Sequence, residues 1–354
     1  MIFFRDKTPS YRKTGAWERC SSGIEGPYRL SLARNLKGEK FNSWATAREK
    51  ASIRETLLSA LKRAGADIGS VYPPDVANDG GERRYSFIPF GDSPVYASLE
   101  EADHLHIEVF CTPENALTPE KAWSELNRID SKLEETLEWS WTADLGYMTA
   151  DHMSLGTGLH ITGMFHLVGL KMFNDDTAVL NALERLRFQV EFCGKEAEAG
   201  EFPVYRITNA QTLGLDEKTI VARSVRIFDA LREHEARARY SLMKEHPLRA
   251  LQHVSSALSK LNASFLLSGR DCLILLTALN FGLNMGFLSG IKKDRLQALL
   301  AATQSSTTPG GGGEDDEFKR DICDRERAMM IQRELRHVRF SDTISAEWGL
   351  TGKF

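Results

Sequence analysis

The feature that most constrains the fold is a change of hydrophobic period at Pro247. Beyond it, apolar residues recur at helical spacing over 247–262, 270–288, 292–303 and 319–338, and no stretch alternates. Before it, the two periods are interleaved. Residues 44–65 (WATAREKASIRETLLSALKRAG) have helical spacing and stop at a glycine. RRYSFIPF (83–90) and HLHIEVFC (104–111) read as strands. Thr118-Pro119 opens a helix that places Trp123, Leu126, Ile129, Leu133 and Leu137 on one face. Strand-like 159–167, a helix from about 175, strands 188–193 and 204–208, and a helix from about Asp216 to Arg239 follow. Adjacent strands among helices favour an α+β class over a regular βαβ alternation. A first domain over 1–245 and an all-helical domain over 246–354 are therefore expected. TTPGGGGEDDE (307–317) has four glycines and then four acids, which bury no core, so 305–317 is expected to be a mobile loop.

Composition narrows the function classes. The chain has 354 residues, enough for two cores, and a net charge of −4, which makes the whole molecule no match for nucleic acid. Five scattered cysteines without a CxxC suit a reducing cytoplasm better than a disulfide framework or structural zinc. The N-terminus lacks a signal-peptide core. The most apolar run, Cys272 to Leu288, contains Asn280 and Asn284, falls short of a membrane span, and reads as a buried helix. LREHEARAR (231–239) reads as a solvated helix face.

DHMSLGTGLH (151–160) poses a question of chemistry: SLGTGL has the glycines of an anion-binding loop and no Lys or Arg. Other segments belong with it. YRLSLARNLKG (28–38), EEADHLHI (100–107), LEETLEWSWTADLGYMTADHMSLGTGL (133–159), YRITNAQTLGLDEKTIV (205–221) and RERAMMIQREL (325–335) occur in that order. Together they resemble the ATP:guanido phosphotransferases, the family of creatine and arginine kinases, and most nearly its bacterial protein-arginine kinases. The resemblance implies an antiparallel sheet flanked by helices and then a helical dimerisation domain.

The family moves the γ-phosphoryl of Mg-ATP to a guanidinium, a reaction catalysed by positioning and by positive charge around the phosphates. The resemblance implies five phosphate-binding arginines. At their places stand Arg29, Ser31, His106, His160 and, in one register or the next, Val190 or Glu191. Arg34 also matches and is expected to be structural. The glutamate that would orient the guanidinium is Ala102, and the reactive cysteine is Asp151. Glu101 is one position away, where strand alternation would turn it to the opposite face. No catalytic residue is intact. Four lost charge-assisted contacts amount to about 6 kcal/mol or more. In the phosphoarginine pocket implied for the C-terminal domain, the arginine is Cys323, while Asp324 and Arg327 remain. Those two, with Arg333, also read as an ordinary salt-bridged helix face.

The resulting expectation is a pseudokinase that needs no cofactor and acts as a scaffold or regulator. The alternative is an active phosphotransferase with a remodelled site, and only that reading requires Mg-ATP. The expected partners are a second copy through the helical domain and, by family resemblance, a zinc-finger adaptor or a Clp-type chaperone system. Neither nucleic acid nor a membrane is expected. His106, Asp151 and His160 are of metal-ligating types. As polar fillers bonded to backbone they would hold no metal, which is the expectation here.

Overall fold

The computed structural model describes residues 20, 22–24, 28–68, 85–91, 93–99, 101–111, 116–173, 175–193, 202–305 and 314–342. Among the described residues, the first strand is β1 (Tyr28–Arg34), followed by α1 (Ala47–Ala64). Thr46 and Glu49 form a capping box at the start of α1, and Gly65 closes the helix in the left-handed conformation; the stop at this glycine is the one the sequence spacing predicts. Three strands follow: β2 (Tyr85–Phe90), β3 (Ser93–Leu99) and β4 (Leu105–Cys111). α2 (Pro119–Glu134) is capped by Thr118, with the proline in its first turn. A two-stranded hairpin of β5 (Trp141–Thr142) and β6 (Gly146–Tyr147) leads through a 3-10 turn (His152–Ser154) into β7 (Leu159–His166).

After β7 come α3 (Val168–Met172), α4 (Asp176–Arg185), β8 (Phe188–Phe192), β9 (Val204–Asn209) and the long α5 (Glu217–Glu245). The helical part comprises α6 (Pro247–Ala263), α7 (Gly269–Asn284), α8 (Lys293–Ser305) and α9 (Glu314–Leu335), with a small ladder of β10 (Leu288–Ser289) and β11 (Arg339–Phe340). The expected loop 305–317 is shorter than the composition suggests, because α9 already begins at Glu314. Acidic residue types suit the first turn of a helix, where the dipole is positive. Residues 306–313 lie outside the described residues.

Seven strands form one antiparallel sheet in the order β2-β3-β4-β1-β7-β9-β8. One face is the core. Leu30 lies opposite Val109 and Ile161, and Leu32 opposite Ile107 and Leu159, all fully buried. They belong to one hydrophobic cluster with residues of α1, α2 and α5. Alternation then turns Arg29, Ser31, His106, Glu108 and His160 to the other face. A second cluster is built mainly from α6, α7 and α9, and it also takes in Val168, Cys193, Phe202 and Val204 from the first part of the chain. Cys272 to Leu288 lies within this cluster, apart from partly exposed positions such as Leu273.

The charged run 231–239 is not solvated throughout. Glu235 and Arg239 are fully buried and paired at 2.7 Å. Glu235 also accepts from the Gly169 and Leu170 amides at 2.8 and 2.9 Å, satisfying the start of α3. Arg239 donates to the carbonyls of Ser22 and His166 at 3.0 and 2.8 Å. His166 in turn stacks on His253 of α6, so this polar knot joins the sheet to the helical part. Among the described residues, no helix is long and apolar enough to cross a membrane.

Candidate functional site

β1, β4 and β7 lie side by side and place Arg29, Ser31, His106 and His160 on one sheet face, with Ser31 opposite both Glu108 and His160. The one arginine among them is already neutralised. Its Nη2 donates to Glu108, whose side chain is 6% exposed against 45% for Arg29. Burial works against the guanidinium charge, but Glu108 outweighs it and holds the group above its ordinary value. Ser31 Oγ also donates to Glu108, at 3.2 Å, and lies 3.4 Å from His106 Nδ1.

Acids surround His106. Nε2 of His106 is 3.6 Å from Asp103 and 3.9 Å from Glu101. Burial lowers the His106 imidazole, yet Asp103, Glu101 and Glu108 together leave it raised. Glu101 therefore faces the site, contrary to the strand-alternation expectation. It lies in the bend between β3 and β4, where no alternation operates, and accepts from Ser98 Oγ at 2.8 Å. Asp103 is buried, accepts from Asn35 Nδ2 and the Ala150 amide at 2.6 Å each, and is held below its ordinary value. Glu108 was legible in HLHIEVFC, two residues beyond His106 and hence on the same face. Glu101 and Asp103 had no such signal.

His160 is held from both sides. Its Nδ1 lies 3.1 Å from the Asn209 carbonyl and its Nε2 2.8 Å from Ser154 Oγ. Burial is the main reason its imidazole is lowered. His104 is structural: its Nδ1 accepts from the Leu36 amide at 3.0 Å, and its Nε2 lies 2.8 Å from the Lys40 carbonyl. His166 points away from the cleft to His253.

Asp151 does not join His106 and His160. Its carboxylate caps the 3-10 turn by accepting from the Met153 amide at 2.9 Å, and its side chain is 61% exposed. Among the described residues, no three His, Cys, Asp or Glu side chains are grouped to hold a metal.

The choice between Val190 and Glu191 is decided by register. Val190 lies opposite Ile207 and packs against the core, whereas Glu191 lies opposite Arg206 on the site-facing side. Val190 is thus removed from the candidate set. Glu191 is bonded to Arg206 at 2.9 Å. Arg34 is buried and bidentate on Asp130, at 3.1 and 2.6 Å, as expected of a structural residue.

The glycines of 155–159 are held by packing. Gly156 has φ +105° and a Cβ there would overlap the Thr212 carbonyl, while a Cβ on Gly146 would lie 2.5 Å from the Gly156 carbonyl oxygen. Gly158 has φ +67°, with the Ala33 carbonyl 2.7 Å from its Cβ position. Only glycine fits such left-handed, close-packed positions. On α9, Arg327 is buried and bound to Asp324 at 2.5 Å and to the Leu267 carbonyl at 2.8 Å, so these two are not a fully solvated pair. Cys323 is partly exposed beside them.

Residues 32–238, more than half of the chain, match the family described as ATP:guanido phosphotransferase, C-terminal catalytic domain. The chain belongs to the ATP:guanido phosphotransferase family. A protein-arginine kinase of Clostridium acetobutylicum is 29% identical over 62% of this chain and 64% of its own length. One of Pelotomaculum thermopropionicum is 30% identical over 69% of this chain and 67% of its own. The match to the clostridial relative thus spans less than two thirds of that protein. Among solved structures, the substrate-free duplicated taurocyamine kinase of Schistosoma mansoni shares the fold with a TM-score of 0.50 at 16% identity, covering 76% of this chain and 42% of that one.

Proposed function

We propose that this chain is a non-catalytic relative of the protein-arginine kinases, a pseudokinase that neither binds ATP nor transfers phosphate and acts through protein contacts. One observation carries the reading: Arg29, the one retained arginine of the five, is engaged by the buried carboxylate of Glu108. Ser31, His106, His160 and Glu191 supply no permanent positive charge in place of the other four arginines, so the charge-assisted bonds on which phosphoryl transfer depends are missing. Ala102 supplies no carboxylate to orient a guanidinium. Ser31, His106, His160 and Glu191 are then vestiges of a nucleotide site, and Cys323, Asp324 and Arg327 of a phosphoarginine pocket. Calorimetric titration with Mg-ATP and Mg-ADP tests this, with no heat expected at millimolar nucleotide.

A second reading, a phosphotransferase with a remodelled site, is favoured by Glu101, a carboxylate on the site side next to Ala102. Turnover of Mg-ATP with a guanidinium acceptor, abolished by Glu101→Gln, would establish it.

We also infer a two-fold homodimer through the helical part. Its apolar surface is not the Cys272–Leu288 run, most of which the chain buries itself, but Phe318, Ile322 and Met329 along α9 together with Phe265. Residues 318, 322 and 329 recur at helical spacing, so they share one face. In the pathway sense, an adaptor or a Clp-type chaperone system is the partner class that the family resemblance supplies.

A further inference from the structure

One surface lies outside the ancestral site and has the opposite charge. Where α4 ends and β8 begins, Arg187 takes φ +60°, the left-handed position after a helix that glycine fills at no steric cost. An arginine there is strained, and backbone strain retained in a fold points to function. Arg187 lines two adjoining crevices. The outer one is shared with Asn181, Glu184 and Arg185, and the inner one with Gln211, Arg223 and Ser224.

Among the described residues, none of these guanidiniums is paired with an acid, and Arg223 donates to neutral oxygens, Gln211 Oε1 at 2.9 Å and the Leu186 carbonyl at 2.6 Å. Arg185 and Arg187 have no side-chain hydrogen bond or ion pair among the described residues. Ser224 Oγ lines the inner crevice, is buried, and has no hydrogen-bond partner among the described residues. That crevice is about 10 Å³, room for one bridging water. Glu184 leaves the cluster with an excess of two positive charges by count (three arginines less one glutamate) on a chain whose net charge is −4.

Leu186 and Leu213, adjacent in the chain to the cluster, are 42% and 44% exposed. The Arg223 bond to the Leu186 carbonyl and the Gln211 bond to the Leu213 carbonyl tie their backbone to it. Guanidinium forks bind carboxylates bidentately, and exposed leucines beside them receive apolar side chains.

We propose that the α4–β8 turn, with Arg185, Arg187 and Arg223, is the docking site for an acidic, leucine-containing segment of a partner protein. The site rests on the scaffold reading only in that it supplies the partner's chemistry. Its test uses no nucleotide, so the two stand or fall separately.

The test is fluorescence anisotropy of the full chain with a labelled peptide alternating leucine and glutamate. Saturable binding is expected, weakening as salt rises past about 0.1 M, where charges are screened over ~10 Å. The leucine–glutamine peptide should not bind. Arg185→Gln and Arg223→Gln should each weaken binding about tenfold. Arg187→Gly separates function from structure: it removes the guanidinium and relieves the backbone, so affinity should fall about tenfold while the melting temperature rises. The proposal is overturned if the acidic peptide shows no saturable binding, if the neutral peptide binds equally, or if Arg187→Gly binds as the wild type does. Binding of a phosphoserine peptide without binding of the glutamate peptide would also overturn it.

Discussion

His106 and Asp103 illustrate how the cleft residues are tied to one another. The folded His106 is raised above its ordinary value, so it holds its proton more tightly folded than unfolded. Its contribution to stability is complete below the unfolded value of about 6.5 and is lost as pH rises through the folded one. Asp103 is depressed: burial opposes this, and the bonds from His106, Ala150 and Asn35 outweigh it. Its contribution is present above about 3.9 and is lost as pH falls through the folded value. The pair is one interaction, strongest between about pH 4 and 6.5. By nuclear magnetic resonance His106 should titrate above His160, and Asp103→Asn should bring His106 down. Equal titration of the two imidazoles would refute the contact.

The residue scale also separates two neighbours that the sequence left open. Val190→Arg is expected to destabilise by about 2 kcal/mol or more, because it drives a guanidinium against Ile207 and the core. Glu191→Arg should change stability by less than about 1 kcal/mol, even beside Arg206, since both side chains are half exposed. Denaturant melts of the two variants decide this. The opposite order would mean that β8 is shifted by one residue.

At the scale of elements, the glycine turn answers the question raised by SLGTGL. Gly156→Ala should cost about 2 kcal/mol or more, through its left-handed φ and its overlap with Thr212, whether or not nucleotide is present. A stable Gly156→Ala protein would refute this reading. The anion-binding look of the motif was legible because φ-positive glycines serve packing and phosphate cradles alike; which use applies depends on Thr212 and Ala33, distant in sequence.

Local signals such as Gly65 and Thr118-Pro119 were readable because caps act within a few residues. β3 was missed: SPVYASL alternates only weakly, with Ala97 and Ser98 adjacent and both buried. The most misleading element was 231–239. Glu235 and Arg239 have the i, i+4 spacing of any surface pair, and nothing local reveals that they meet the start of α3. Glu235→Gln should therefore cost about 3–5 kcal/mol, as breaking a buried pair does, where a surface pair would cost under about 1. A thermal melt distinguishes the two.

On the scale of the whole molecule, the family fold persists whichever side chains its site face carries, here Arg29, Ser31, His106, Glu108 and His160. That separation is physically permitted because the sheet's core side, Leu30, Leu32, Ile107 and Ile161, alternates with its site side and is independent of it. Assembly belongs to this scale too. Light scattering at micromolar protein should give twice the chain mass, and Phe318→Glu with Met329→Glu should return the monomer. A monomeric wild type would remove the dimer from the proposal and leave the cleft untouched.

The cleft itself is tested most directly by calorimetric titration of the wild-type chain with Mg-ATP. With Arg29 held by Glu108 and acids at 101 and 103 beside it, no heat is expected at millimolar nucleotide. A saturable titration with a micromolar dissociation constant would contradict the pseudokinase reading.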